Sequence, residues 1–90
     1  SWIISFLMSW GYWSMLPLHH SQKLIRENKD GSCILQISVV INFELYSVLM
    51  SYGPGVRVIS PRCAVSYMQD KTKEMADIYE EPFHFEEGDN

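Results

Sequence analysis

Cysteine is scarce in this chain. Cys33 and Cys63 are the only two in 90 residues, too few for the disulfide framework of a small secreted domain. Both are expected to be reduced thiols in a cytoplasmic protein. Cys63 falls at the start of a predicted helix beside Arg62, a setting that favours thiolate, but no second cysteine or base lies near it in sequence. Metal-ligand spacing is also missing. The histidines are His19, His20 and His84, and no CxxC, HxxxH or HExxH pattern connects them to each other or to the cysteines. On a strand, neighbouring His19 and His20 would point to opposite faces. No glycine-rich loop opens a helix, because Gly53-Pro54-Gly55 leads into a β-branched run and fits neither nucleotide-binding spacing. There is no nucleophile elbow, and most acids fall on predicted helix exteriors or in the last eleven residues. These absences point away from an enzyme and give no reason to expect a metal or a cofactor.

Charge is missing from one end and concentrated at the other. Ser1–Leu16 contains no charged residue. It is shorter than the roughly 20 residues of a bilayer span, and it lacks the basic start and small-residue exit of a signal sequence. No membrane segment is expected. The formal net charge of −4 comes from the far end, where Glu80, Glu81, Glu86, Glu87 and Asp89 crowd together. Residues 1–79 hold all 7 basic side chains and the other 6 of the 11 acidic ones, a net of +1. That balance lacks the strong basic bias that dominates nucleic-acid affinity, so direct contact with nucleic acid is not expected.

The remaining pattern is that of one α+β domain. Trp2–Phe6 reads as a first strand and residues 7–15 as a short helix, ended by Pro17. Residues 20–28 read as a second strand, with Gln22, Leu24 and Arg26 facing away from Lys23, Ile25 and Glu27. Lys29-Asp30-Gly31 carries the strongest hairpin signal. Ser32–Ile41 is a β-branched strand whose Cys33, Leu35, Ile37, Val39 and Ile41 share a face. Asn42 is placed to cap a helix over 42–52, with Leu45, Val48, Leu49 and Tyr52 at helical spacing. Gly53 suits the left-handed position after that helix and Pro54 forbids its continuation. Val56–Ser60 reads as the last strand, and Ser60-Pro61 as the cap and opening of a helix over 61–79. In that helix Ala64, Met68, Met75 and Tyr79 form one apolar stripe. The order βαββαβ plus a final helix is the split βαβ, or ferredoxin-like, pattern with one antiparallel sheet. Residues 80–90 read as a mobile acidic tail following a 1–79 domain, with Phe83 and Phe85 as its apolar exceptions.

The stretch Asn42–Tyr79 also resembles a known family. A helix, then Ser51-Tyr52-Gly53-Pro54-Gly55-Val56-Arg57-Val58-Ile59-Ser60-Pro61, then a long helix ending in Tyr79, is similar to the C-terminal extension (WCX) domain that follows the WYL domain in many bacterial transcriptional regulators. Upstream, Pro17-Leu18-His19-His20-Ser21-Gln22-Lys23 is similar to the PLHxSQ segment leading into a strand of that family, and Asp30-Gly31 falls at its hairpin turn. The resemblance covers roughly residues 1–79. It implies an accessory domain serving oligomerisation and the transmission of ligand sensing to a DNA-binding domain elsewhere in the parent protein. It also implies that His19 and His20 belong to the turn leading into the strand. The chain departs from the family at Gly11-Tyr12-Trp13-Ser14-Met15, where relatives usually carry Arg or Lys, and at Arg62-Cys63-Ala64-Val65-Ser66, where they often read L-R-E-E-[IL]. The first of these segments lies in an aromatic cluster. Trp10, Tyr12, Trp13 and Met15 combine large apolar area with polar tips, as protein interfaces do, and are the expected partner surface. The partner expected is a second copy or the parent's WYL domain. An alternative reading is a stand-alone small-ligand module, with the ligand on the open sheet face near His20, Gln22, Gln36 and Arg57.

Overall fold

The computed structural model describes residues 1–9, 11 and 19–86. Four strands form one antiparallel sheet: β1 (Trp2–Ser9), β2 (Lys23–Glu27), β3 (Ser32–Val39) and β4 (Val56–Ser60). Their spatial order is β2-β3-β1-β4. Two described helices accompany them, α1 (Phe43–Ser51) and α2 (Arg62–Glu80). The fold class is α+β.

The first strand runs longer than the sequence suggests. Residues 7–9, expected to begin a helix, continue β1. Leu7 pairs with Ile34 on one side and Arg57 on the other, and Met8 with Cys33 and Val56. An uncharged apolar run carries no helical periodicity of its own, so its pairing to two neighbouring strands decides its state. The rest of the expected helix, with Trp10, Tyr12, Trp13 and Met15, lies outside the described residues.

Alternation along each strand divides the sheet into two faces. Ile4, Phe6 and Met8 of β1, Cys33, Leu35 and Ile37 of β3, and Val56 and Val58 of β4 are buried with Tyr46, Leu49 and Ala64 of the helices. Val39 and Ile41, expected on this face, pack partly buried against that core. Each fully buried side chain of this size contributes about 1.5–3 kcal/mol.

Local chemistry explains where the elements stop. The hairpin after β2 turns at Gly31, which takes a φ of 89° that a residue with a Cβ adopts only under strain. The Asn42 side chain accepts from the Leu45 N–H at 2.9 Å and caps α1. Gly53, with φ 57°, begins a short 3₁₀ turn over Gly53–Gly55 that delivers the chain into β4. The cap of α2 differs from the expectation. Pro61 itself stands at the N-cap with no side-chain hydrogen bond, and its carbonyl accepts from the Ala64 and Val65 N–H groups at 3.0 and 3.1 Å. Ser60 instead stays in β4, paired with Ser5.

Helix α2 outruns the sheet. Its 19 residues span about 28 Å, yet packing ends near Lys71. Ala64 is buried and Val65, Tyr67 and Met68 are partly buried against the core. From Thr72 to Glu86 every residue is exposed. Met75 and Tyr79, expected to belong to one packed stripe, therefore lie bare, with Tyr79 84% exposed.

Candidate interaction surfaces

The face of the sheet that no described helix covers is built from the residues that alternate with the core. Cross-strand partners share a face, so the register locates each of them. Arg26 of β2 pairs with Ile34 of β3, Ile34 with Leu7 of β1, and Leu7 with Arg57 of β4. These four make a straight row across all four strands, with a cation at each end and two apolar side chains between. A second row runs Lys23–Gln36–Ser5–Ser60, and the Gln36 Nε2 donates to the Ser5 Oγ at 3.4 Å. Lys23, Arg26 and Arg57 are exposed, whereas Leu7, Ile34 and Gln36 are half-buried. No acid of the described strands shares this face: Glu27 pairs with the buried Cys33 on the opposite one.

A register shift between Leu24 and Arg26 creates this distribution. It inserts one residue, Ile25, and so turns Lys23 and Arg26 to the same side. The simple alternation expected for β2, with Arg26 facing away from Lys23, is thereby corrected. Of the ligand candidates, Gln36 and Arg57 do share the open face. Arg57 also lines two grooves. One, of about 720 Å³, runs between β4 and α2 past Val65, Met68 and Thr72. The other, of about 390 Å³, is bordered by Leu7, Ser9 and Ser32. His20 and Gln22 stand apart from this pair, in the turn before β2.

That turn has a specific construction. His19 and His20 sit in a bend rather than on a strand, and their ring centroids lie 4.1 Å apart instead of on opposite faces. The Ser21 N–H donates to His19 Nδ1 at 3.1 Å, and the Ser21 Oγ lies 2.7 Å from the same nitrogen. The Ser21 hydroxyl then reaches β3, accepting from the Ser38 N–H at 2.8 Å and lying 3.2 Å from the Ser38 carbonyl. One side chain thus satisfies the β3 backbone beyond the end of β2. Ser21 belongs to the family-like segment that leads into the strand, but its bond to Ser38 is not readable from sequence, because it depends on where β2 begins.

Three titrating groups respond to their surroundings. Burial pushes the Cys33 thiol up, with Glu27 and Asp30 adding to it. Burial also raises the Tyr46 phenol, helped by Cys63 and Tyr67. Asp30 is held below its ordinary value by the Ser32 hydroxyl and then by the Ser32 backbone N–H, which donate at 2.6 and 3.0 Å. Cys63 is exposed and Cys33 buried. Among the described residues no three His, Cys, Asp or Glu side chains converge as a metal site would require, and no helix is long and apolar enough to cross a membrane.

Comparison with known proteins adds one finding. The family model of the WCX domain matches residues 14–76, which takes in β2, the hairpin, β3, α1, β4 and most of α2. No curated protein matches the sequence.

Proposed function

The chain belongs to the WCX domain family, and on that footing we propose that it is an accessory domain of a WYL-type bacterial transcriptional regulator, serving oligomerisation and the transmission of ligand sensing to a DNA-binding domain elsewhere in the parent protein. The observation that carries the reading is a sheet with only one described face covered, inside a segment the family model matches over 14–76. A layer that leaves apolar Leu7, Ile34 and Ile3 on its second face, and a bare Met75–Tyr79 helix end, is built to meet another protein surface.

The finer fold reading is ferredoxin-like, and the sheet supports it. In the order β2-β3-β1-β4, β3 stands between β1 and β2, and β1 stands between β3 and β4. Every neighbouring pair is antiparallel, so β1 and β2 run the same way, as do β3 and β4. Each crossover skips one strand, as in a split βαβ. Helix α1 belongs to the second crossover.

The mechanism is mechanical. The domain packs on a second subunit or on the WYL domain, and ligand-dependent movement there changes the spacing of the DNA-reading heads. The domain itself does not read bases and acts in the cytoplasm. Sedimentation of the chain across concentration, alone and mixed with the WYL domain of the same regulator, tests this. Association in either sample is expected, and a species monomeric in both would remove the proposal.

A small-ligand role is the second reading, favoured by Gln36 and Arg57 on one open face and by the groove beside Arg57. A thermal-shift screen with nucleotides and amino acids separates the two: a raised melting temperature without association supports the ligand module.

A further inference from the structure

The row Arg26–Ile34–Leu7–Arg57 reads cation, apolar, apolar, cation across the open face. The segment after α2 reads Glu81-Pro82-Phe83-His84-Phe85-Glu86: acid, two aromatics, acid. We infer that this segment of one chain seats across the open sheet face of a second copy, with Phe83 and Phe85 over Leu7 and Ile34 and the flanking carboxylates on the two arginines.

The dimensions agree. Four strands set their outer members about 14 Å apart, and Glu81 to Glu86 spans about 17 Å when extended. In extended chain, residues two apart project to the same side, so Glu81, Phe83 and Phe85 face the sheet together, while Glu86 projects to the other side and meets the second arginine around the edge strand that carries it. The Phe83 and Phe85 rings already meet edge to face, with centroids 5.0 Å apart, and are 80% and 75% exposed, so both are available to a partner. The charge agrees as well. The described open face bears Lys23, Arg26 and Arg57 without an acid, whereas the segment adds Glu80 and Glu87 to its own two glutamates. Carboxylate–guanidinium pairs of this kind are the stronger charge-assisted hydrogen bonds.

A second copy is the occupant because α2 packs through Ala64 on the helix-covered face and holds every residue from Thr72 to Glu86 exposed, away from its own core. From there it meets another molecule without refolding. The exchange is reciprocal, each chain giving its segment and receiving its partner's, which closes a two-fold dimer.

Sedimentation equilibrium of the full chain tests the contact. The wild type is expected to dimerise, more weakly at high salt. Arg26→Glu with Arg57→Glu should weaken dimerisation by about tenfold or more, and Glu81→Arg with Glu86→Arg should do the same. All four positions are exposed, so both variants keep the fold, which circular dichroism verifies. Mixing the two variants should restore dimers, because each reversed sheet then meets a reversed segment. Phe83→Ser with Phe85→Ser should abolish association without any change of charge. A monomeric wild type, or mixed variants that fail to recover, would overturn the contact. So would rescue within a single chain that shows no dependence on concentration. Association surviving both reversals would also overturn it, while leaving the accessory-domain reading intact, since that reading rests on the family match and on an open face that a different contact would then cover.

Discussion

The rings of Tyr46 on α1 and Tyr67 on α2 stack with centroids 3.8 Å apart and planes 14° from parallel. This contact joins the two described helices over the sheet. Tyr46 is buried, and the Lys71 ammonium lies over the Tyr67 ring, 5.7 Å from its centre. Tyr67→Ala is expected to lower stability in urea unfolding. A double-mutant cycle with Tyr46→Ala should return about 0.5–1.5 kcal/mol of coupling, the usual range for an aromatic pair. A coupling near zero would mean that the two rings pack independently.

The Ser21 hydroxyl replaces a missing strand residue. Ser21→Ala leaves the Ser38 N–H without its 2.8 Å acceptor. Because this site is exposed, water takes its place in part, and the expected loss is about 0.5–1.5 kcal/mol. The specific signature is local: the Ser38 amide should exchange with solvent faster in the variant while the Leu35 amide, deeper in β3, is unchanged. Ser21→Thr keeps the hydroxyl and should restore most of the protection.

Local signals were legible in the sequence. Asn42, Gly53 with Pro54, and Asp30-Gly31 each impose a backbone requirement that needs no distant partner, and each falls where it was expected. The readings that failed depend on tertiary pairing. Leu7–Ser9 is strand because β3 and β4 flank it. Tyr46 enters the core and Val48 does not, although the helical spacing of Leu45, Val48 and Leu49 favoured the reverse, because α1 is rotated toward Tyr67. The cationic row was hidden twice. A near-neutral body conceals segregation between two faces, and an alternating pattern cannot reveal the bulge at Ile25 that turns Arg26 toward Lys23's side.

Acid should act on the hairpin through Asp30. Its folded value lies below the ordinary 3.8 because Ser32 donates twice to the ionised carboxylate. A depressed acid contributes stability that is complete above the unfolded value and is lost as pH falls through the folded one. Carbon-detected titration of the Asp30 carboxyl should therefore give a midpoint below 3.8, and Ser32→Ala should move it back toward that value. An unchanged midpoint in the variant would place the cause elsewhere.

The two thiols should be distinguishable without any mutation. Cys63 is exposed and Cys33 is buried with a raised value. A thiol reagent at neutral pH is expected to modify Cys63 rapidly in the folded chain and Cys33 only on unfolding. A native chain that consumes two equivalents at one rate would contradict the burial of β3. A raised thiol also costs stability in alkali: the unfolded chain ionises near the ordinary 9.0 and the folded one only at higher pH, so stability should decline as pH climbs from there.

Leu49 and Met75 mark the two ends of a gradient in packing. Leu49 is fully buried and Met75 half-exposed, although both occupy apolar positions of a helix. Leu49→Ala should cost about 2–5 kcal/mol, since it removes core contacts and leaves a cavity. Met75→Ala should change the unfolding free energy by less than about 0.5 kcal/mol in dilute chain. Hydrogen exchange should trace the same boundary along α2. Amides up to Lys71 are held by the packing of Ala64, Val65 and Met68 and should open only with the whole domain, whereas those from Thr72 to Glu80 rest on helix propensity and on the exposed Lys71–Glu74 and Lys73–Asp77 pairs, which contribute little. They should exchange by local fraying in dilute solution. If their protection rises with protein concentration, this helix end is covered in the associated state, and the Met75–Tyr79 stripe is then an interface that the monomer leaves bare.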